Sequence, residues 1–280
     1  MIRNRAALPL ILAAFFTTGT AVAAFASGFE KLRPHRAVYD LSLANSSDRS
    51  GIVGMTGRIV YEMTGSKCEG YAVRFRFFTQ VQSSRKSFTN DQRTTSFESG
   101  DGKTFSFVNQ SYLNGQLEQE LRGKAKRDGQ STTVTITKPK SADVKLGSSI
   151  FMTQHIGMLI EAAQRQQTIV TAKVYDGSEN GDQLVDTTAI IGKRRAEITN
   201  LTGEPATVST QFSGENAWPI SVSYFSTADS QTQGERLPVY QVSFVMHESG
   251  VSRDLKMQYD DYALKGDLKV IEYLKAEACD

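Results

Sequence analysis

The sequence predicts an all-β protein. A large, strongly curved, mostly antiparallel sheet of a dozen or more strands is expected, curled to protect its edges and accompanied by one main α-helix near residues 149–167. Three observations carry this expectation. Apolar and polar residues alternate with period two in segment after segment, the pattern of half-buried strands. Asn-Gly and Asp-Gly pairs punctuate those segments and supply the positive φ angles of tight hairpins. Only one stretch departs from the alternation toward helical spacing.

The first residues, MIRNRAALPLILAAFFTTGTAVAAFASGF, read as an address rather than a fold element. Arg3 and Arg5 form a positive start, Ala6 to Phe16 an uncharged apolar run, and Ala24 and Ala26 the small-residue pattern of a cleavage site. Residues 1–26 are therefore expected to be a Sec-type signal peptide, with Ser27 the first mature residue. The run is short for a membrane span, the competing reading being an uncleaved anchor. Residues 27–280 then make one exported β domain, with no long apolar run and no lipid-anchor cysteine after the cleavage site.

Strands follow at Arg36–Ala44 (RAVYDLSLA) and at Gly70–Val81, where Val73, Phe75 and Phe77 alternate with Arg74 and Arg76. Further strands are expected at Ser131–Lys138, Val239–Glu248 and Arg253–Leu264. Hairpin turns are expected at Asp101-Gly102, Asn114-Gly115, Asp128-Gly129 and Lys265-Gly266. A dozen strands in consecutive hairpins must curl to protect their edges. The helical stretch, Ser148–Gln167, places Phe151, Met152, His155, Ile156, Leu159, Ile160 and Ala163 on one face, with Ser148 or Ser149 as cap. Such a helix packs in the core or covers an open side of a curved sheet.

Charge excludes whole classes. The chain carries 32 Lys+Arg and 30 Asp+Glu, and loss of Arg3 and Arg5 leaves the mature chain neutral with His uncharged. Nucleic-acid binders and polybasic membrane binders need a positive field. The two cysteines, Cys68 and next-to-last Cys279, would be exported to an oxidising compartment and allow one intramolecular bond. Cys68–Cys279 is the expected pairing, a clasp on the chain end worth at most about 5 kcal/mol. A redox pair and an intermolecular bridge are the alternatives.

Motifs for chemistry are sparse. The three histidines, His35, His155 and His247, are scattered, without metal-ligand spacing. The sequence lacks a nucleophile elbow, a Ser-x-x-Lys motif, a Walker loop and a dinucleotide fingerprint. Asp260 and Asp261 are adjacent, and in a strand they would point to opposite faces. Asp176, Ser178, Asn180, Gly181 and Asp182 fall at calcium-loop positions, but Thr187 stands where a bidentate Glu belongs, so a polar glycine-rich loop is expected instead. Trp218, before Pro219 at a strand entrance, is either an edge of the core or a ligand platform. No catalytic residue, metal site or cofactor is expected, although a hydrolase assembled from distant strands remains a third reading.

Together, SKCEGY, TQHIGMLIEAA, VYDGSENG, WPISVSYF and LPVYQVSFVMHESGVSRDLKMQYDDYALKG, with the terminal cysteine, resemble the envelope integrity protein B (EipB) family of periplasmic β-spiral proteins. The resemblance spans essentially the whole mature chain. It implies a spiral sheet partly wrapping a helix, one disulfide falling on Cys68 and Cys279, and a non-enzymatic role in keeping the Gram-negative envelope intact under stress. The leading expectation is a factor acting through contacts with a periplasmic protein partner yet to be identified. The alternative is a lipid or lipoprotein carrier whose hollow would be lined by Met152, Ile156, Leu159, Ile160 and Trp218.

Overall fold

The computed structural model describes residues 32–195, 201–227, 236–276 and Cys279. The expected signal segment lies outside the described residues. The strands are β1 (His35–Ser46), β2 (Ile52–Ser66), β3 (Gly70–Ser83), β4 (Ser87–Glu98), β5 (Thr104–Leu113), β6 (Gln116–Arg127), β7 (Ser131–Lys138), β8 (Ala142–Gly147), β9 (Ile169–Val174), β10 (Val185–Ile191), β11 (Ala217–Ser226), β12 (Tyr240–His247), β13 (Ser252–Gln258) and β14 (Tyr262–Tyr273). The main helix α1 spans Met152–Gln164, and a one-turn α2 (Ala206–Ser209) runs into a 3-10 turn at Thr210–Phe212.

All fourteen strands belong to one sheet, in the order β8-β7-β6-β5-β4-β3-β2-β1-β14-β13-β12-β11-β10-β9. Each neighbouring pair is antiparallel. The chain walks outward from β1 to one edge at β8. It then crosses through α1 to the opposite edge, β9, and walks back until β14 pairs with β1. The sheet is not closed, because β8 and β9 do not pair with each other. A parallel bridge between Ile150 and Val174 ties the chain just after β8 to the end of β9. A sheet of this width curls because each strand twists relative to its neighbour.

The connections fall on two rims. One rim carries the β2–β3, β4–β5, β6–β7 and β12–β13 turns. The opposite rim carries the β1–β2, β3–β4, β5–β6, β7–β8 and β13–β14 turns. Three of the expected hairpin turns form as read: Gly102, Gly115 and Gly129 all adopt positive φ. Lys265-Gly266 is not a turn. Both residues lie inside β14, and the reversal falls at Tyr259–Tyr262, so the expected strand Arg253–Leu264 is split in two and Asp260 and Asp261 sit in its turn. Gly266 serves a different need. It pairs with Leu41 and Leu255, and a Cβ there would lie 3.1 Å from both leucine side chains.

Three apolar clusters fill the concave side. The first packs Leu159, Ile160, Ala162 and Ala163 of α1 against Ala189, Ile191, Trp218, Ile220, Val222 and Met246, with Met63 and Tyr71. The second joins β1, β2, β13 and β14 to Val208 and Phe212 of the short helical segment. The third lies under β5–β7, where Phe105, Phe107, Phe151 and Tyr175 form an aromatic knot with ring centroids 5.2–6.4 Å apart. Each fully buried large side chain contributes about 1.5–3 kcal/mol through removal of apolar surface from water.

Candidate functional site

At the first rim the two cysteines meet. Cys68, in the β2–β3 turn, is bonded to Cys279, with Cα atoms 5.7 Å apart and 211 residues between them in sequence. Just before the clasp, the Leu274 amide donates to the Pro34 carbonyl, so backbone pairing continues past the end of β14. The clasp thus holds a chain end that the sheet alone would leave to fray.

The helix starts at the same rim. Its expected cap, Ser148 or Ser149, is used elsewhere: Ser148 Oγ donates to the Gly129 carbonyl, and Ser149 shares a buried 2.7 Å hydrogen bond with Thr132. The helix therefore begins later than read, at Met152. Its first amides are satisfied from a distance. The Glu98 carboxylate, at the end of β4, accepts from Thr153 N (2.8 Å) and Gln154 N (3.2 Å). A carboxylate at a helix N-terminus meets both the orphan amides and the positive end of the helix dipole. Burial dominates nonetheless and pushes the Glu98 carboxyl up to about 7, against the lowering effect of those amides and of Arg127. Arg127 in turn donates to Gln154 and lies over the Phe151 ring. The alternating pattern of the sequence gave Glu98 no inward role, because β4 reads as polar on both faces.

Four of the five residues expected to line a hollow come together in the first apolar cluster. Leu159, Ile160 and Trp218 are buried together in the first cluster, and Ile156 is half-buried against it. Met152 is half-buried and lies outside that cluster. Trp218 is only 4% exposed, so it belongs to the core rather than to an exposed platform. His155, on the buried helix face, has its Nε2 3.2 Å from Thr187 Oγ1, and burial lowers its pKa to about 4.

The opposite rim carries a feature that sequence reading missed. Tyr224 of β11 pairs directly with Tyr240 of β12, and their rings stack at 4.3 Å. Tyr240 continues to Tyr259 at 6.0 Å, and Tyr259 to Tyr262 at 4.7 Å. The pairing of Val222 with Val242 places Tyr224 and Tyr240 on the core-facing side of their strands. All four tyrosines are half-buried. Their hydroxyls make no hydrogen bond among the described residues. Burial raises all four phenols, Tyr259 to about 12, and the Asp176 carboxylate adds to the rise at Tyr224 and Tyr240. Asp176 itself is raised by burial. The concave wall continues through half-buried Val242, Phe244, Tyr61, Phe75 and Phe77, and, by register, through Gln92, Thr94 and Ser96 of β4. This wall is thus aromatic along β2, β3, β11 and β12 and polar along β4. The signal was present in the sequence only as tyrosines 224, 240, 259 and 262, whose adjacency depends on strand register.

The loop once compared with a calcium site closes the aromatic knot. Tyr175 donates to the Gly181 carbonyl, and Asn109 donates to that of Gly177 at 2.6 Å. Gly177 has φ +69°, and a Cβ there would sit 2.8 Å from the Phe107 ring. Among the described residues, no group of three or more His, Cys, Asp or Glu side chains is placed to hold a metal.

The densest polar cluster lies on the first rim. Glu215 accepts from Ser249 Oγ (2.8 Å) and Tyr273 OH (3.1 Å), pairs with Arg33 at 3.3 Å, and stands 3.8 Å from His247 Nδ1. Ser, His and Glu come together here without the order nucleophilic catalysis needs, since Ser249 donates to the carboxylate and not to the imidazole. His247 packs 4.3 Å from the Phe212 ring, and neither of its ring nitrogens has a hydrogen-bond partner. Burial, reinforced by Arg253, lowers its pKa to about 3. Arg253, fully buried, donates to Glu204 Oε2 through Nε (2.9 Å) and Nη2 (2.6 Å), and Nη2 also reaches Ser209 Oγ. These groups tie the 201–216 segment to the sheet.

Comparison with known proteins places this geometry. The family model described as EipB-like matches residues 26–275. The chain is 39% identical over 255 residues to the cell envelope integrity protein EipB of Brucella abortus (strain 2308), covering 91% of this chain and 89% of that one. Among solved structures, a beta-barrel-like protein of domain of unknown function DUF1849, from Brucella abortus, superposes with a TM-score of 0.80 at 37% identity. It covers 88% of this chain and 99% of its own.

Proposed function

As the chain belongs to the EipB-like family, we propose that it supports cell-envelope integrity from the periplasm by binding a protein partner, without catalysis, and that the tyrosine rim is its working surface. The observation that carries this reading is the near full-length identity to a protein named for cell envelope integrity. The half-buried tyrosines support the location. Aromatic rings with unused hydroxyls offer contact area at low entropic cost, together with hydrogen bonds for a partner's backbone. Deletion of the gene is expected to sensitise the cell to detergents and cell-wall antibiotics, and re-expression of the chain to restore resistance. Unchanged sensitivity would remove the reading.

A second reading is favoured by the same wall. Val242, Phe244, Phe75 and Phe77 form a half-buried apolar strip beside hydroxyl donors, the environment of an acyl chain and its polar head. Under this carrier reading, protein made through its own export pathway retains an adduct of lipid mass in native mass spectrometry. A bare monomer, with no lipid in organic extracts, would leave the protein-partner reading alone.

A further inference from the structure

We infer that the outward face of β5–β7 is a contact site for the phosphate-bearing headgroups of an anionic membrane surface. The site is distinct from the concave hollow. A cavity of about 770 Å³ lies on this face, with Phe97, Lys124, Lys126, Thr133, Thr135 and the acidic Asp128 among its walls. Strand register arranges the polar groups in two parallel rows. Ser106 pairs with Lys124 and Lys124 with Thr135. Thr104 pairs with Lys126, Lys126 with Thr133, and Thr133 with Lys145. Each cavity lysine is therefore flanked on both sides by a hydroxyl residue; of these, Thr135 donates its hydroxyl to Asp143.

Charge pairing sharpens the contrast with the rest of the surface. Along the same face of β6, Arg122 and the facing Lys138 both pair with Glu120. Lys124, Lys126 and Lys145 are exposed and make no ion pair among the described residues. The acids nearby keep their charge but are held in place by hydrogen bonds to neighbouring groups. Asp128 accepts from Gln130 N, Ser131 N and Ser131 Oγ within its turn. Asp143 accepts from Thr135 Oγ1, and Asp101 from Ser99 Oγ and Lys103 N. Arg127 points away, to Gln154.

Lys124 and Lys126 leave the strand about 7 Å apart, with hydroxyls about 5 Å to either side, a spacing that suits neighbouring phosphates rather than a single carboxylate. An exposed aromatic completes the site. Phe97 is 41% exposed and pairs with Ser106, beside the lysine rows. An aromatic ring next to unpaired lysines matches a membrane interface, where the ring enters the headgroup layer and the ammonium groups meet phosphate. The near-neutral total charge conceals this local excess.

The test is co-flotation of the exported mature protein with vesicles of phosphatidylethanolamine alone or mixed with phosphatidylglycerol. Binding to the mixed vesicles, weakened by salt, is expected. Lys124→Glu with Lys126→Glu should reduce it about thirtyfold or more, taking roughly a factor of five for each lysine lost at the surface. Phe97→Ser should lower the affinity but keep the salt dependence. Lys124 and Lys126 are exposed, so the melt of the double charge reversal should match wild type and separate loss of binding from loss of fold. Equal binding to the two vesicle types, or binding indifferent to the double charge reversal, would overturn the inference. So would inorganic phosphate shifting the lysine resonances without any vesicle binding, which would assign the site to a soluble anion.

Discussion

At the rim that bears the β2–β3 turn, the polar chemistry is largely spent on structure. The disulfide holds the chain end, Glu98 holds the helix, Arg253 holds Glu204, and Glu215 gathers Arg33, Ser249 and Tyr273. At the opposite rim, four stacked tyrosines leave their hydroxyls unused and Asp176 sits beside them. The same sheet thus carries one end committed to stability and one end with polar capacity left over. An unmade hydrogen bond inside a protein costs more than a made one gains. The enclosed atoms without a partner at the first rim are both His247 ring nitrogens and Glu204 Oε1, whereas the tyrosine hydroxyls are not enclosed and are open to solvent and to the contact proposed above.

The largest effect should come from the clasp. Cys68→Ser or Cys279→Ser removes a bond that closes nearly the whole described chain, a loss of at most about 5 kcal/mol in the chain-entropy picture. A lowered melting temperature and early protease cleavage near the C-terminus are expected. An unchanged melt under oxidising conditions would show that the rim is held without it. Next is Arg253→Met, which leaves Glu204 buried and unpaired and should cost about 3–5 kcal/mol in urea unfolding. Adding Glu204→Leu should recover much of that loss, and failure to recover would place the cost in packing against Phe212.

Glu98 gives a signed pH test. Its carboxyl holds a proton up to about pH 7 in the folded protein, against an ordinary value of 4.5. The folded state is then the one that binds more protons between those values. Stability from this group is fullest below about pH 4.5 and declines as pH rises to about 7, by up to about 1.4 kcal/mol per pH unit. His155 and His247 act in the opposite sense, losing stability as pH falls below 6.5, so the group is isolated by difference. The stability advantage of wild type over Glu98→Gln should shrink between pH 5 and pH 7.5. Parallel curves would mean that Glu98 is already ionised throughout. The smallest effect belongs to the open rim: Tyr240→Phe should change unfolding free energy by no more than about 0.5 kcal/mol, since its hydroxyl has no protein partner to lose. A larger loss would make the ladder structural.

Much of this architecture was legible from residue order. Val73, Phe75 and Phe77 reported a half-buried strand, Asn114-Gly115 a tight turn, and a pair of cysteines their own bond. The Lys265-Gly266 misreading came from taking a glycine as a turn when it was required for close approach between Leu41 and Leu255. The helix start was misplaced because serines compete for several acceptors, and its cap came from 55 residues away in sequence. Glu98 and Arg253 were invisible as core residues, since a charged side chain in an alternating segment reads as outward-facing. The tyrosine ladder could not be read at all, because it exists only once β11 to β14 are in register.

The most direct test of the two-rim account is complementation of a gene-deletion strain with Tyr224→Phe/Tyr240→Phe/Tyr259→Phe, scored by survival in detergent. The variant should melt and export like wild type and yet fail to restore resistance. Full restoration by the folded variant would contradict the account and move the working surface away from the tyrosine rim.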